Sequence, residues 1–248
     1  MEHRFGRPPA SRGCSGFPQL RVLALLETGT HAIFAAAIDG FATHEVRLAH
    51  RIFPRPRPGM LCLADRALLG YEMWRDAAAT GADLLWRVRS IAVLPCRQRL
   101  PDGSYRSCLY RSFDHRQRDR DGLEVRVIEY SLPGVPGGDT VYRLVTTMLD
   151  PATAPATELA ALYHERWEAE LTLAELKVAL PGEPLMLRSR RPDPIMQEVY
   201  ALLLTHFAVR PLIYEASRHA GCDPGTLSFT HTINIVRRNL PFYAAFPP

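Results

Sequence analysis

The chain has 248 residues, 47% hydrophobic and 23% charged, enough to bury a core as one large domain or as one domain with an insertion. Thirty basic residues against 26 acidic give a net charge of +4, a mild lean compatible with a nucleic-acid partner but not diagnostic of one. Five cysteines without a C-x-x-C pair, no apolar run of ~18 residues and a polar, basic N-terminus lacking a signal core argue against secretion and membrane spanning, and for reduced thiols in the cytoplasm.

In chain order, residues 1–18 are rich in glycine, proline and serine and read as loop. Two apolar runs, Arg21–Leu26 and Ala32–Ile38, flank the turn-like Glu27–Thr30 and predict an antiparallel hairpin. THEVRLAHRIF, with Val46, Leu48, Ala49 and Ile52 apolar, predicts a helix stopped by PRPRPG. GMLCLAD is a short unbroken apolar run, expected to be a strand buried on both faces. YEMWRDAAATG predicts a helix ending near Gly81, and ADLLWRVRS another strand.

From Ile91 to about Leu149 short strands (SYRSCLYRSF, LEVRVIEYSL, TVYRLVTTML) alternate with turn signals at PDG, RDRDG and PGVPGGD. Helical pattern resumes at Thr157 and runs through IMQEVYALLLTHFAVRPLIYEASRHAG. The order predicts an α/β sheet of mixed direction with a hairpin at one side, divided as 1–90, a β-rich insertion over 91–149, and a helical remainder over 150–248.

The stretch YHERWEAELTLAELK carries the first candidate chemistry. With Tyr163 at 0° and about 100° per residue, Arg166, Glu170 and Lys177 share a seam about 60° wide between two apolar flanks. One flank holds Leu173, Leu176 and Leu180, the other Trp167, Leu171 and Val178, while Glu165, Glu168 and Glu175 fall in the remaining sector as solvent charges. A carboxylate in an apolar face must be paired or metal-bound, so Glu170 reads either as an intrahelical partner of Arg166 or as part of a site. Asp65 closes the strand GMLCLAD, where α/β sheets place their chemistry; it could equally cap the next helix or pair with Arg66. Two carboxylates from distant segments, facing one another, are what a divalent-metal phosphoryl-transfer site requires.

The spacing Tyr163, Arg166, Glu170, Lys177 resembles the Y-R-E-K signature of DDE transposases of the insertion-sequence-four group. RPGMLCLADRALLGYEMWRDAAATGADLLWRVR is similar to that family's stretch around its second catalytic aspartate, and the likeness extends over nearly the whole chain. The resemblance implies a ribonuclease H-like mixed sheet with flanking helices and a β-rich insertion ahead of the glutamate helix. It implies catalytic, metal-holding roles for Asp65 and Glu170, DNA contacts by Tyr163, Arg166 and Lys177, and Mg²⁺ or Mn²⁺ as cofactor. Transposon-end and target DNA would be the partners, with a homodimer in the intact enzyme and no membrane association.

The family's first aspartate lies upstream of the F-G-R-P loop at which this chain opens. Asp39 stands too close to Asp65 to replace it and is expected to be a turn residue. The expectation is therefore a fragment missing the first strand and first acid, inactive or impaired. The rival readings are another ribonuclease H-like metal-dependent nuclease, or a non-catalytic DNA-binding or dimerisation fragment. HEVRLAH lacks zincin spacing, and the arginines at 55–57 and 188–191 read as solvated loop charges able to track a DNA backbone.

Overall fold

A computed structural model describes residues 2–10, 13–14, 16–131, 141–182 and 185–242. The chain opens with a short helix α1 (Glu2–Phe5) and two-residue strands β1 (Pro9–Ala10) and β2 (Gly13–Cys14). Then come β3 (Leu20–Leu26), β4 (Ile33–Gly40), α2 (Glu45–Ile52), β5 (Leu61–Ala64), α3 (Tyr71–Ala78) and β6 (Asp83–Arg87). Next follow β7 (Gln98–Arg99), β8 (Tyr105–Leu109), α4 (Phe113–Gln117), β9 (Leu123–Tyr130) and β10 (Tyr142–Thr146). The last part is helical: α5 (Ala156–His164), a 3₁₀ turn (Glu165–Trp167), α6 (Glu168–Ala174) and a π-turn (Glu175–Ala179). The long α7 (Pro192–Ala220) and α8 (Phe229–Asn239) complete it. The turn expected at PGVPGGD lies outside the described residues.

The chain divides into two compact units, Met1–Thr43 with Trp167–Pro248, and His44–Arg166. In the first, β3 and β4 pair antiparallel from Leu20 opposite Gly40 to Leu26 opposite Ile33, as a two-stranded sheet of their own. Their apolar side chains meet those of α7, α8 and the π-turn in a core that includes Ile33, Ile38, Leu176, Leu180, Val199, Ile213 and Ile233. Asp39 is a strand residue of β4, not a turn residue: it is buried, its Oδ1 accepts from Gly40 N at 2.8 Å, and Arg4 lies 3.3 Å away. Gly40 is required there, because a Cβ would come within 2.6 Å of the Arg4 carbonyl.

The second unit is built on a six-stranded sheet, ordered β5-β6-β10-β9-β8-β7. β5 and β6 are parallel, joined through α3, and the other neighbours are antiparallel. The strands between Gln98 and Thr146 thus continue the sheet begun by β5 and β6. Side chains alternate along β6: Leu85 joins Ile128, Leu144, Leu159 and Tyr163 on the α5 side, while Trp86 meets Phe53 and Trp74, each at 5.2 Å between ring centres. β5 is an edge strand, and only Cys62 and Ala64 are fully buried, Leu61 and Leu63 being half-buried. The uniform apolar run had suggested equal burial on both faces; a run without alternation carries no record of which face is shielded less.

One buried charge ties this unit together. Arg126 on β9 has no solvent exposure. Its guanidinium bonds the Asp102 carboxylate, the Ser104 hydroxyl at 2.8 Å and the Met148 and Ala154 carbonyls at 3.2 and 2.6 Å. Asp102 also accepts from the Ala156 amide at 3.0 Å, at the start of α5. Breaking a buried pair from one side leaves the other charge uncompensated, so Arg126→Met is expected to destabilise this unit by about 3–4 kcal/mol. Urea unfolding followed by the fluorescence of the buried Trp74 and Trp86 measures it; a loss below about 1 kcal/mol contradicts the role of the tie.

Candidate functional site

Asp65 follows the last residue of β5, at the carboxyl edge of the parallel pair. Its Oδ1 accepts from the Arg66 amide at 2.7 Å, and its carbonyl closes a turn with Leu68 N at 3.1 Å. It does not cap the following helix: α3 starts at Tyr71 behind Gly70, with no side-chain cap. Beside it, at the carboxyl ends of both parallel strands, lies a cavity of about 260 Å³ lined by Arg66, Leu69, Arg89, Ile91 and Ala92. Crevices at this edge are where α/β sheets bind ligands, and here two arginines line one. Cys62, three residues before Asp65, is held protonated, its thiol pushed up to about 11 by burial, so it offers no nucleophile.

Tyr163 is buried at the end of α5, and its hydroxyl donates to the Ala64 carbonyl at 3.2 Å. Burial, more than any other influence, raises the phenol well above its ordinary value, the nearby Arg166 opposing and Asp65 adding to the rise. The hydroxyl therefore stays a donor, bracing the residue just before Asp65. The Arg166 guanidinium stands 5.9 Å from the Tyr163 ring centre.

Glu170 and Lys177 belong to the other unit, and their segment is not one regular helix: a 3₁₀ turn, α6 and the π-turn succeed one another, with Leu180 N bonding back to Glu175 O at 2.8 Å. Of the three glutamates expected in solvent, only Glu165 is exposed. Glu170 and Lys177 are exposed, whereas Glu168 and Glu175 are half-buried beside Thr172, Leu176 and Leu180. The helical wheel offered two apolar flanks; the one with Leu176 and Leu180 is interior, and Trp167, Leu171 and Val178 are exposed.

The inward carboxylates meet partners that a single helix cannot reveal. Glu168 bonds Nε2 of His31, in the β3–β4 turn, and Glu175 bonds Arg210 and, at 3.1 Å, Nε2 of His206, both on α7. Arg210 also donates to Nδ1 of His31 at 2.8 Å. His31, His206 and Arg210 are buried. Sequence reasoning missed all three. The available signal was on α7, where His206 and Arg210, four residues apart, share a face with the buried Val199, Leu203 and Ile213.

A family model for the transposase DDE domain matches residues 2–207 of this chain. The chain belongs to the transposase DDE-domain family. It is also 28% identical over 227 residues to the transposase InsG for insertion sequence element IS4 of Escherichia coli strain K12, an alignment covering 90% of this chain and 51% of that protein. The chain thus spans about half the length of that relative. With family membership, the mixed α/β architecture is ribonuclease H-like.

For a DDE-family chain the donor set is informative. Among the described residues no three histidine, cysteine, aspartate or glutamate side chains converge as a ready-made cation centre. The His31–Glu168–Glu175–His206 group is instead bridged by the Arg210 guanidinium. Asp65 and Glu170 offer carboxylate oxygens, the donor type that hard divalent ions take. Among the described residues no helix is long and apolar enough to cross a membrane.

The Glu175 cluster gives a pH-dependent expectation. Burial would raise this carboxyl, but hydrogen bonds from His206 and Arg210 outweigh it and hold it below its ordinary 4.5. With the folded value lowered, its stabilisation is complete above 4.5 and drains away as pH falls through the lowered value. Glu175→Gln is expected to cost about 2 kcal/mol at neutral pH and to flatten the loss of stability below pH 4.5. Urea midpoints from pH 7 to pH 3 check both; equal acid slopes in the two proteins refute the assignment.

Proposed function

We propose that this chain serves insertion-sequence transposition, whose chemistry would be phosphodiester cleavage at transposon ends followed by strand transfer to a target. The observation that carries the reading is Asp65 at the carboxyl edge of the parallel pair, beside a cavity lined by Arg66 and Arg89, in a chain of the DDE family. Arginine forks suit phosphate oxygens, so these two side chains would hold the backbone of the end next to Asp65.

Asp65 and Glu170 are the two acids we assign to the reaction, and each would offer carboxylate oxygens to Mg²⁺ or Mn²⁺. When bound, such an ion supplies charge stabilisation for the attacked phosphate. Arg166 and Lys177 would lie along the DNA phosphates, Lys177 being exposed and Arg166 half-buried. Tyr163 belongs to the same DNA-contacting set by resemblance; with its hydroxyl on Ala64, its contribution here is to fix the strand end that presents Asp65. The reading extends to a cytoplasmic protein that pairs with a second copy to hold two ends, and to residues 91–149 as the family's insertion, supported by their run of antiparallel strands.

Lys177 is the single lysine of the chain, which makes DNA contact directly measurable. A transposon-end duplex is expected to protect Lys177 from acylation, read by mass spectrometry, with protection fading as salt rises. In the intact transposase, Asp65→Ala and Glu170→Ala are each expected to lower Mg²⁺-dependent end cleavage by about 10²–10³-fold while leaving DNA binding nearly unchanged. Cleavage that survives either substitution, or a Lys177 equally reactive with and without DNA, overturns the reading.

A further inference from the structure

The cluster around Arg210 lies outside the proposed reaction, yet every bond it makes to the 168–179 segment lands on the same side. Glu168 and Glu175 are seven residues apart, about two helical turns, and both point inward. Glu170 and Lys177 each follow one of them by two residues, a rotation of about 200°, and both point outward. A segment that passes from 3₁₀ to α to π has no single hydrogen-bond register to set its rotation. Side chains set it instead: Leu176 and Leu180 pack into the core, and Glu168 and Glu175 are tied to the buried cluster.

The chemistry of the cluster is directional. Arginine only donates, so Nδ1 of His31 accepts from Arg210 and its Nε2–H donates to Glu168. The same guanidinium donates to Glu175, whose carboxylate also accepts from His206. His31 itself sits at φ +58°, a conformation costly for a residue with a side chain, in the turn that delivers its ring to the cluster. The turn would be easier for glycine; the ring is what the cluster uses.

We propose that Arg210, with His31 as its relay, is a positioning residue that clamps Glu168 and Glu175 inward and thereby holds Glu170 outward for cation and Lys177 outward for DNA. The proposal rests on the assignment of Glu170 as a metal-holding acid. The chain itself is the material for the test, in two measurements. Hydrogen–deuterium exchange of peptides covering 168–179 is expected to rise about tenfold in Arg210→Gln and in His31→Gly, and less in Arg210→Lys, while β5–β6 peptides stay unchanged. Mn²⁺ affinity, read by electron paramagnetic resonance, is expected to weaken about tenfold in Arg210→Gln, matching Glu170→Ala, with partial recovery in Arg210→Lys. A purely structural cluster would raise exchange throughout its unit and leave Mn²⁺ affinity alone, and that result overturns the proposal. So does a His31→Gly chain that gains stability and keeps both readouts. If the unsubstituted chain binds Mn²⁺ no better than Glu170→Ala, the metal assignment itself falls, and the clamp's functional meaning with it.

Discussion

Arg210 reaches from α7 to the Glu175 carboxylate and to the ring of His31, and His31 in turn holds Glu168. Charge buried at this depth has to be paired, so the cost of leaving any member unpaired works to keep all of them in place. The consequence is rotational. With the two carboxylates of the cluster turned to the interior, the glutamate and the lysine two positions further along are turned to solvent. The cluster acts together with the buried Leu176 and Leu180, which turn the same side of the segment inward.

The second unit solves a different problem by similar means. Asp65 follows a strand that, among the described residues, has a sheet neighbour on one side only. Three features steady it: the parallel pairing with β6, the Tyr163 hydroxyl on the Ala64 carbonyl, and the Arg66 amide on its own carboxylate. Behind them Arg126 fastens the loop that leads into α5, the helix that carries Tyr163. The two acids assigned to the reaction are therefore each held by a buried arginine acting at a distance, one through Glu175 and the other through Tyr163.

Much of this was legible in the amino-acid order. The β3–β4 hairpin, α2, β5, α3, β6 and the strands from Tyr105 to Thr146 follow from apolar runs punctuated by glycine, proline and aspartate. Asp65 was legible because a strand end is a local feature. The orientation of Glu170 was not, since a helix with two apolar flanks does not say which is covered, and the deciding partners come from a turn and a helix remote in sequence. Asp39 misled because D-G reads as a turn, whereas here glycine is needed where the Arg4 carbonyl approaches the strand. The short α4, opened by the Ser112 cap, was hidden inside a segment read as strand and turn.

The proposed reaction assigns a metal-holding role to each of Asp65 and Glu170, 105 residues apart in sequence. Iron-mediated cleavage of the polypeptide tests this most directly. Fe²⁺ takes hard oxygen sites, and with ascorbate and peroxide it cuts the backbone close to wherever it is bound. Fragments should end near residue 65 and near residue 170, both sets suppressed by Mg²⁺, the first lost in Asp65→Ala and the second in Glu170→Ala. Cuts at only one of the two places, or cuts that persist when the acid there is removed, would contradict the assignment.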